Sequence, residues 1–391
     1  MKIVVDENIP FVVECFSSIG QVVALSGRKI TPDIVADADA LIVRSITRVD
    51  TNLLTNSKVS FVGTATIGFD HIDIDFLQKR NIGFASAPGS NANSAAEYVI
   101  AALLEIAKKH NINLEDKSIG VIGVGNVGSR AAKKASALGM RLKLNDPPLQ
   151  RKTNDPKYLP IEELFDCDFI TMHTPLTFQG EDKTFHLADE KFFKSLKDGS
   201  IFLNTSRGGV VETDALKTVT KTGLLKAVVL DVWENEPSID TELLQIVDIG
   251  TPHIAGYSLD GKINGMIMIY KAVCEYFGIE PEFNVDSFLP KPAIAELKIS
   301  LAGGNEQDAL HSAVQKIYNI SEDDHKLRGI VKEKEEKMGE FFDNLRKNYH
   351  VRREFKNTKV TVDNKNSSLA KKLEGIGFLH RKASPGGLSQ E

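Results

Sequence analysis

Short apolar runs recur along most of the chain, separated by segments whose apolar residues return every three or four positions. In the first part, residues 3–5, 22–24, 41–43, 61–62 and 83–85 read as brief buried strands. Such runs, alternating with helix-like stretches, predict strands of a parallel α/β sheet. The Ala87-Pro88-Gly89-Ser90-Asn91 stretch breaks the pattern, and Asn93 or Ser94 is placed to cap a long helix to about Lys109. Val99, Leu103 and Ile106 recur on one face of it, so it is a packing helix. A second series of strands follows at 119–122, 142–144, 169–172, 201–203, 227–230 and 248–250, and a helix at 259–277 leads back to the first half. Two α/β cores joined by two crossing helices imply a hinged body with a cleft between its domains.

The opening strand of the second series runs into Gly123-Val124-Gly125-Asn126-Val127-Gly128 and then a helix-like stretch. In a dinucleotide-binding unit the first glycine makes a tight turn, the second lets the backbone approach a pyrophosphate, and the third lets helix and strand pack closely. The helix start then offers N–H groups and a positive dipole end to the phosphates. The next strand ends at Asp146, 18 residues past Gly128, where an acid accepts the adenosine ribose hydroxyls and repels a 2′-phosphate. Strand, glycines, helix, strand and acid in this order point to NAD. The expected fold is therefore two Rossmann-like parallel-sheet domains, residues 93–257 forming the NAD-binding one and residues 1–92 with 258–285 the other.

Composition narrows the partners. The 391 residues allow two or three cores, and 42% hydrophobic with 26% charged residues describes a soluble globular chain. A net charge of −5 gives no reason to expect nucleic acid or an anionic membrane. Three scattered cysteines propose neither a disulfide framework nor a metal cluster, no apolar stretch is long enough to span a bilayer, and a cytoplasmic home is expected.

Three groups follow three different strands of the NAD-binding half: Arg207, Glu236 and His253. Oxidation of a 2-hydroxy acid requires such a set. A guanidinium binds the carboxylate, an imidazole accepts the hydroxyl proton, and a carboxylate on the other ring nitrogen fixes the tautomer. Each residue alone has an ordinary reading as a loop or helix-flanking group, and His71, His173 and His186 are rivals for the base. Their shared place beyond strand ends favours Arg207, Glu236 and His253, since ligands gather at that edge. Asp231, also at a strand end, is expected to face the nicotinamide. The loops 43–47 and 63–71 lie at strand ends of the first half, where ordinary turn chemistry explains them equally well.

Gly-Val-Gly-Asn-Val-Gly128, Asn-Thr-Ser-Arg-Gly-Gly209, Leu-Asp-Val-Trp-Glu-Asn-Glu-Pro237 and Thr-Pro-His-Ile-Ala-Gly-Tyr257 together resemble the D-isomer-specific 2-hydroxyacid dehydrogenase family. Val-Asp-Glu-Asn-Ile-Pro10, Ala-Asp-Ala-Leu-Ile-Val-Arg-Ser45, Phe-Val-Gly-Thr-Ala-Thr66, Asn-Asp-Pro-Pro148 and Leu-Arg-Lys-Asn-Tyr349 extend the likeness toward members that oxidise a phosphorylated 2-hydroxy acid. The resemblance implies Arg207 and Glu236 as active-site residues and His253 as the proton-transfer residue. It implies substrate contacts from Ser45, Thr66 and Tyr257, and NAD contacts from Asp146, Thr174, Asp231 and Gly256. A dehydrogenase for 3-phosphoglycerate or another 2-hydroxy acid is the nearest alternative, and an NAD-sensing corepressor a more distant one.

Beyond the linker Leu289-Pro-Lys-Pro292, residues 295–300 and 359–362 read as strands and the rest as helix and charged loop. The resemblance makes 286–380 an α+β dimerisation domain, hence a homodimer, and residues 381–391 read as a disordered tail. Arg346, Lys347, Arg352, Arg353 and Lys356 crowd a short stretch with one acid, Glu354. A solvated helix face or dimer contact explains this run; so does a role in holding the substrate phosphate, for which Arg44, beside Ser45, is the other candidate.

Overall fold

The computed structural model describes residues 1–301, 304–362 and 367–380. The expected disordered tail, 381–391, lies outside the described residues. The chain divides into two compact units, one of Met1–Ala92 with Ser258–Lys291 and one of Asn93–Tyr257 with Pro292 onward.

The first unit holds strands β1 (Lys2–Asp6), β2 (Gln21–Leu25), β3 (Ala40–Val43), β4 (Phe61–Thr64) and β5 (Gly83–Ala85). They form one parallel sheet in the order β2-β1-β3-β4-β5. β3 and β4 are buried at every position, as strands covered on both faces require. The helix Leu259–Phe277 packs one side of this sheet, and a side chain at Gly63 would strike Ile269 of that helix at 2.4 Å.

The second unit holds β6 (Ser118–Ile122), β7 (Arg141–Asn145), β8 (Phe169–Met172), β9 (Ser200–Asn204), β10 (Leu225–Leu230) and β11 (Ile249–Gly250). Their order is β11-β10-β9-β8-β6-β7, all parallel, so the chain reverses its direction of travel across the sheet beside β6. Ligands bind beyond the strand ends at such a switch point. The long helix runs Ala92–Lys109 and is almost wholly enclosed. Asn93 and Ser94 therefore lie inside its first turn and do not precede it. Asn93 bonds Glu97 and Ser94 bonds Glu354, so side-chain partners elsewhere hold both residues.

Strands β12 (Glu296–Ile299), β13 (Lys359–Val362) and β14 (Leu379–His380) form a third, wholly parallel sheet. This C-terminal segment is bound to the second unit by polar as well as apolar contacts. Asp324 accepts the amide of Gly250 at 2.7 Å, and Arg328 donates to the carbonyls of Leu244 and Val247. The exposed edge that β11 would otherwise present is thereby covered. On another face, the helix Ser367–Ile376 lies so near Asn126–Ala137 that a Cβ at Gly375 would fall 2.4 Å from that of Ala137. Among the described residues no helix is long and apolar enough to cross a membrane.

Candidate active site

The glycine loop divides its work as the sequence pattern implies. Gly123 has φ +85°, and a Cβ there would lie 2.8 Å from the carbonyl carbon of His173 at the end of β8. A Cβ on Gly128 would fall 1.9 Å from the oxygen of Gly123, so only glycine lets the helix start this close to the strand. At Gly125 nothing lies within 4 Å, which leaves the backbone open to a ligand. Asn126 and Val127 begin the helix. Asp146 accepts the amide of Val124 at 2.8 Å with one oxygen and that of Leu149 at 2.9 Å with the other. It thus ties the loop to β7 while each oxygen keeps a lone pair for a hydroxyl. Thr174 Oγ1 is enclosed without a hydrogen-bond partner. An open glycine, a tethered acid and an orphaned hydroxyl fit a dinucleotide.

On the same sheet, β9 leads to Arg207 and β10 to Asp231 and Glu236, while His253 follows β11. A Cβ at Gly208 would fall 1.9 Å from the oxygen of Trp233, so glycine there permits the Arg207 loop to press on the turn that carries Glu236. Arg207 donates to the carbonyl of Ser206 at 2.7 Å and has no carboxylate within ion-pair reach among the described residues. Glu236 accepts the amide of Trp233 at 2.8 Å through one oxygen, and its other oxygen faces His253 Nδ1 at 2.7 Å. With Nδ1 so engaged, Nε2 is the ring nitrogen left for a ligand.

His253 holds φ +57°, a left-handed conformation unusual for a residue with a side chain. Asp231 maintains it. Its carbonyl accepts the amide of His253, and its enclosed carboxylate accepts from Thr251 Oγ1, Ile254 N and Ala255 N at 2.6–2.9 Å. Burial pushes the Asp231 carboxyl up, and the His253 charge with these donors opposes that. Tyr98 bonds Thr251 Oγ1 at 2.7 Å, and Trp233 Nε1 donates to the Thr251 carbonyl. Asp231 thus spends most of its lone pairs on the His253 loop.

The rival histidines differ in their surroundings. Both nitrogens of His173 face hydroxyls, Thr171 at 3.0 Å and Thr205 at 3.0 Å, and burial pushes its pKa down to about 3. His186 forms a second His–carboxylate pair, with Glu234 at 2.6 Å, but its ring stacks on Phe185 and Glu234 also holds the amide of Thr213. His71, in the other unit, faces Thr64 Oγ1 at 3.0 Å, and burial lowers its pKa. Among the described residues, only Glu236–His253 combines a carboxylate on Nδ1 with an Nε2 left for a ligand and a neighbouring arginine loop.

In the first unit, Ser45 is exposed just beyond β3. Thr66, just beyond β4, donates to the carbonyl of Gly68 and shares a hydrogen bond with the Thr64 hydroxyl. Arg44 is committed to Asp6, a fully buried acid, at 2.9 Å. In the second unit, the solvated-face reading of the basic run fails for Arg352 and Arg353, which are 3% and 8% exposed. The helix ends at Lys347, and the chain beyond it turns inward. Arg352 donates to the carbonyls of Ser94 and Ala255 and lies 4.3 Å from the Tyr318 ring centroid. Arg352, Thr251 and Tyr98 support the His253 loop; Thr251 lies in the motif that carries His253, but no spacing or motif in the sequence marks Arg352 or Tyr98 for that task.

A parallel-sheet nucleotide domain whose strand ends gather an arginine and a His–carboxylate pair is the apparatus of a nicotinamide-dependent dehydrogenase. Residues 94–255 match the family model for the NAD binding domain of D-isomer specific 2-hydroxyacid dehydrogenases, and residues 288–377 match one described as a domain of unknown function. Curated erythronate-4-phosphate dehydrogenases of Shigella flexneri and Escherichia coli are 44% identical over 379 residues, covering 97% of this chain and 98% of theirs. An NAD-bound 3-phosphoglycerate dehydrogenase of Entamoeba histolytica superposes with TM-score 0.61 at 27% identity, covering 74% of this chain and 99% of its own. A D-lactate dehydrogenase of Aquifex aeolicus, complexed with NAD and lactic acid, gives 0.56 at 25% identity, covering 71% and 96%. The chain belongs to the D-isomer-specific 2-hydroxyacid dehydrogenase family and, within it, to the erythronate-4-phosphate dehydrogenases. Its cofactor is NAD.

Proposed function

We propose that the protein oxidises 4-phospho-D-erythronate at C2 to (R)-3-hydroxy-2-oxo-4-phosphooxybutanoate, a step toward pyridoxal 5′-phosphate. The observation that carries this is the 44% identity, over nearly the full length of both chains, to relatives bearing that name. NAD, when bound, supplies the acceptor for the C2 hydride. Arg207 holds the substrate carboxylate in a bidentate grip and orients C2. His253 Nε2 takes the C2 hydroxyl proton as the carbonyl forms. Glu236 holds Nδ1–H and stabilises the imidazolium. Asp146 bonds the adenosine ribose, Gly123 to Gly128 cradle the pyrophosphate, and Thr174, Asp231 and Gly256 contact the remainder of the cofactor. Ser45, Thr66 and Tyr257 contact the substrate.

Residues 1–92 with 258–285 serve as the substrate-binding domain, 93–257 as the NAD-binding domain, and 286–380 as a homodimerisation domain, in a cytoplasmic enzyme. The resemblance alone supports the dimer, and sedimentation equilibrium tests it. The activity is tested with NAD and a panel of 4-phosphoerythronate, 3-phosphoglycerate, D-lactate and glycerate. The first should be turned over with the highest kcat/KM. Preference for 3-phosphoglycerate, or no turnover of any, would overturn the assignment.

A further inference from the structure

The C-terminal segment, whose family description assigns it no function, sends a cation to the loop that carries His253. Arg346 lies in the last turn of the helix Glu335–Lys347. Its guanidinium carbon is 5.8 Å from the centroid of the Tyr257 ring and 6.0 Å from that of Phe342. Tyr257 in turn meets Tyr349 edge to face, so residues 346–349 wrap the loop that carries His253. Burial works against the charge of Arg346, while Tyr257 and Glu236 beside it favour the charge and raise its pKa. Its Nε is enclosed without a partner, and its acidic neighbour Asp343 is exposed and only loosely paired, at 3.7 Å.

A phosphorylated 2-hydroxy acid carries a carboxylate at one end and a phosphate dianion at the other, and one guanidinium cannot hold both. The other cations considered are committed elsewhere. Arg44 neutralises buried Asp6, Arg352 serves two backbone carbonyls, and Arg353 bonds Asn357. Arg346 is a planar donor fork over Tyr257, four residues past His253, with its Nε still unpartnered, which is the chemistry a phosphate requires.

We propose that Arg346 binds the substrate phosphate, so that the C-terminal segment completes the specificity pocket of its own chain's site. This rests on the phosphorylated-substrate reading above. Arg346→Ala and Arg346→Lys would be assayed in the full-length protein with 4-phosphoerythronate and with unphosphorylated erythronate. NAD binding, read by fluorescence, would check that each variant is folded. Arg346→Ala should lower kcat/KM for the phosphorylated substrate by roughly 10- to 100-fold, the scale of a charged hydrogen bond. Erythronate turnover should change far less, and Arg346→Lys should lie between. Equal losses with both substrates, or no loss with either, would overturn the proposal while leaving the activity intact. Failure of the unmodified protein to turn over 4-phosphoerythronate would overturn the substrate reading, and this inference with it.

Discussion

Replacing Arg352 by methionine keeps the length of the side chain and removes the charge that joins the C-terminal segment to the catalytic loop. Two hydrogen bonds are lost, to the carbonyls of Ser94 and Ala255, at about 1.5–3 kcal/mol each for a charged donor. The stack on Tyr318 contributes about 0.5–2 kcal/mol more. Against this, the wild-type guanidinium is itself desolvated and its Nη1 has no partner, which offsets about 1–3 kcal/mol. Glu97 and Asp323, whose charges favour that of Arg352, would lose its support, which leaves Lys134 beside Glu97 and the Tyr349 hydroxyl on Asp323. The net expected loss is about 3–5 kcal/mol, in the range found when one partner of a buried charge cluster is removed. The chain's single tryptophan, Trp233, lies in the same unit, so urea unfolding followed by its fluorescence reads that unit directly. kcat should fall as well, because the freed Ala255 carbonyl is two residues from His253. A change below about 0.5 kcal/mol, as for an uninvolved surface position, with kcat unaltered, would refute the reasoning.

His253→Ala should lower kcat by about two to four powers of ten with NAD affinity nearly unchanged; retention of near-full activity would transfer the base to another histidine. Glu236→Gln should lower kcat with NAD affinity nearly unchanged, since the carboxylate that orients the His253 ring is gone; an unaltered kcat would deny the pair its role. Asp146→Ala should narrow the preference for NAD over NADP, because the carboxylate that meets the 2′-position is removed; the unmodified protein using both equally would contradict the assignment. Burial holds His173 at about 3, below its ordinary 6.5, so the folded state binds fewer protons and stability should fall as pH drops from about 6.5 toward 3. His173→Asn should flatten that fall in thermal denaturation, and an unchanged slope would show the ring to be protonated in place.

Short apolar runs were enough to place every strand but β14 among the fourteen of the described residues, most plainly β3, β4, β8 and β9, where a strand covered on both faces leaves a local mark in composition. The helix Leu259–Phe277 and the glycine loop were equally legible, since each depends on residues adjacent in the chain. Legibility ended where a role depends on contacts distant in sequence. That Glu236 meets His253 through the ring nitrogen opposite the free one, while His186 meets Glu234 on a ring stacked against Phe185, required the packing of strand-end loops. Nor could charge density alone separate the residues of the basic run. Arg346 lies over the Tyr257 ring, Arg352 supports a backbone carbonyl, and Lys347 stays exposed, because the helix ends there and the following chain turns inward. Local sequence determines which segments are strands, turns and phosphate-binding loops, since those follow from short-range sterics and periodicity. Which of several chemically similar side chains faces the site is decided by tertiary packing, which alone sets the burial and the partners that give a charge its task.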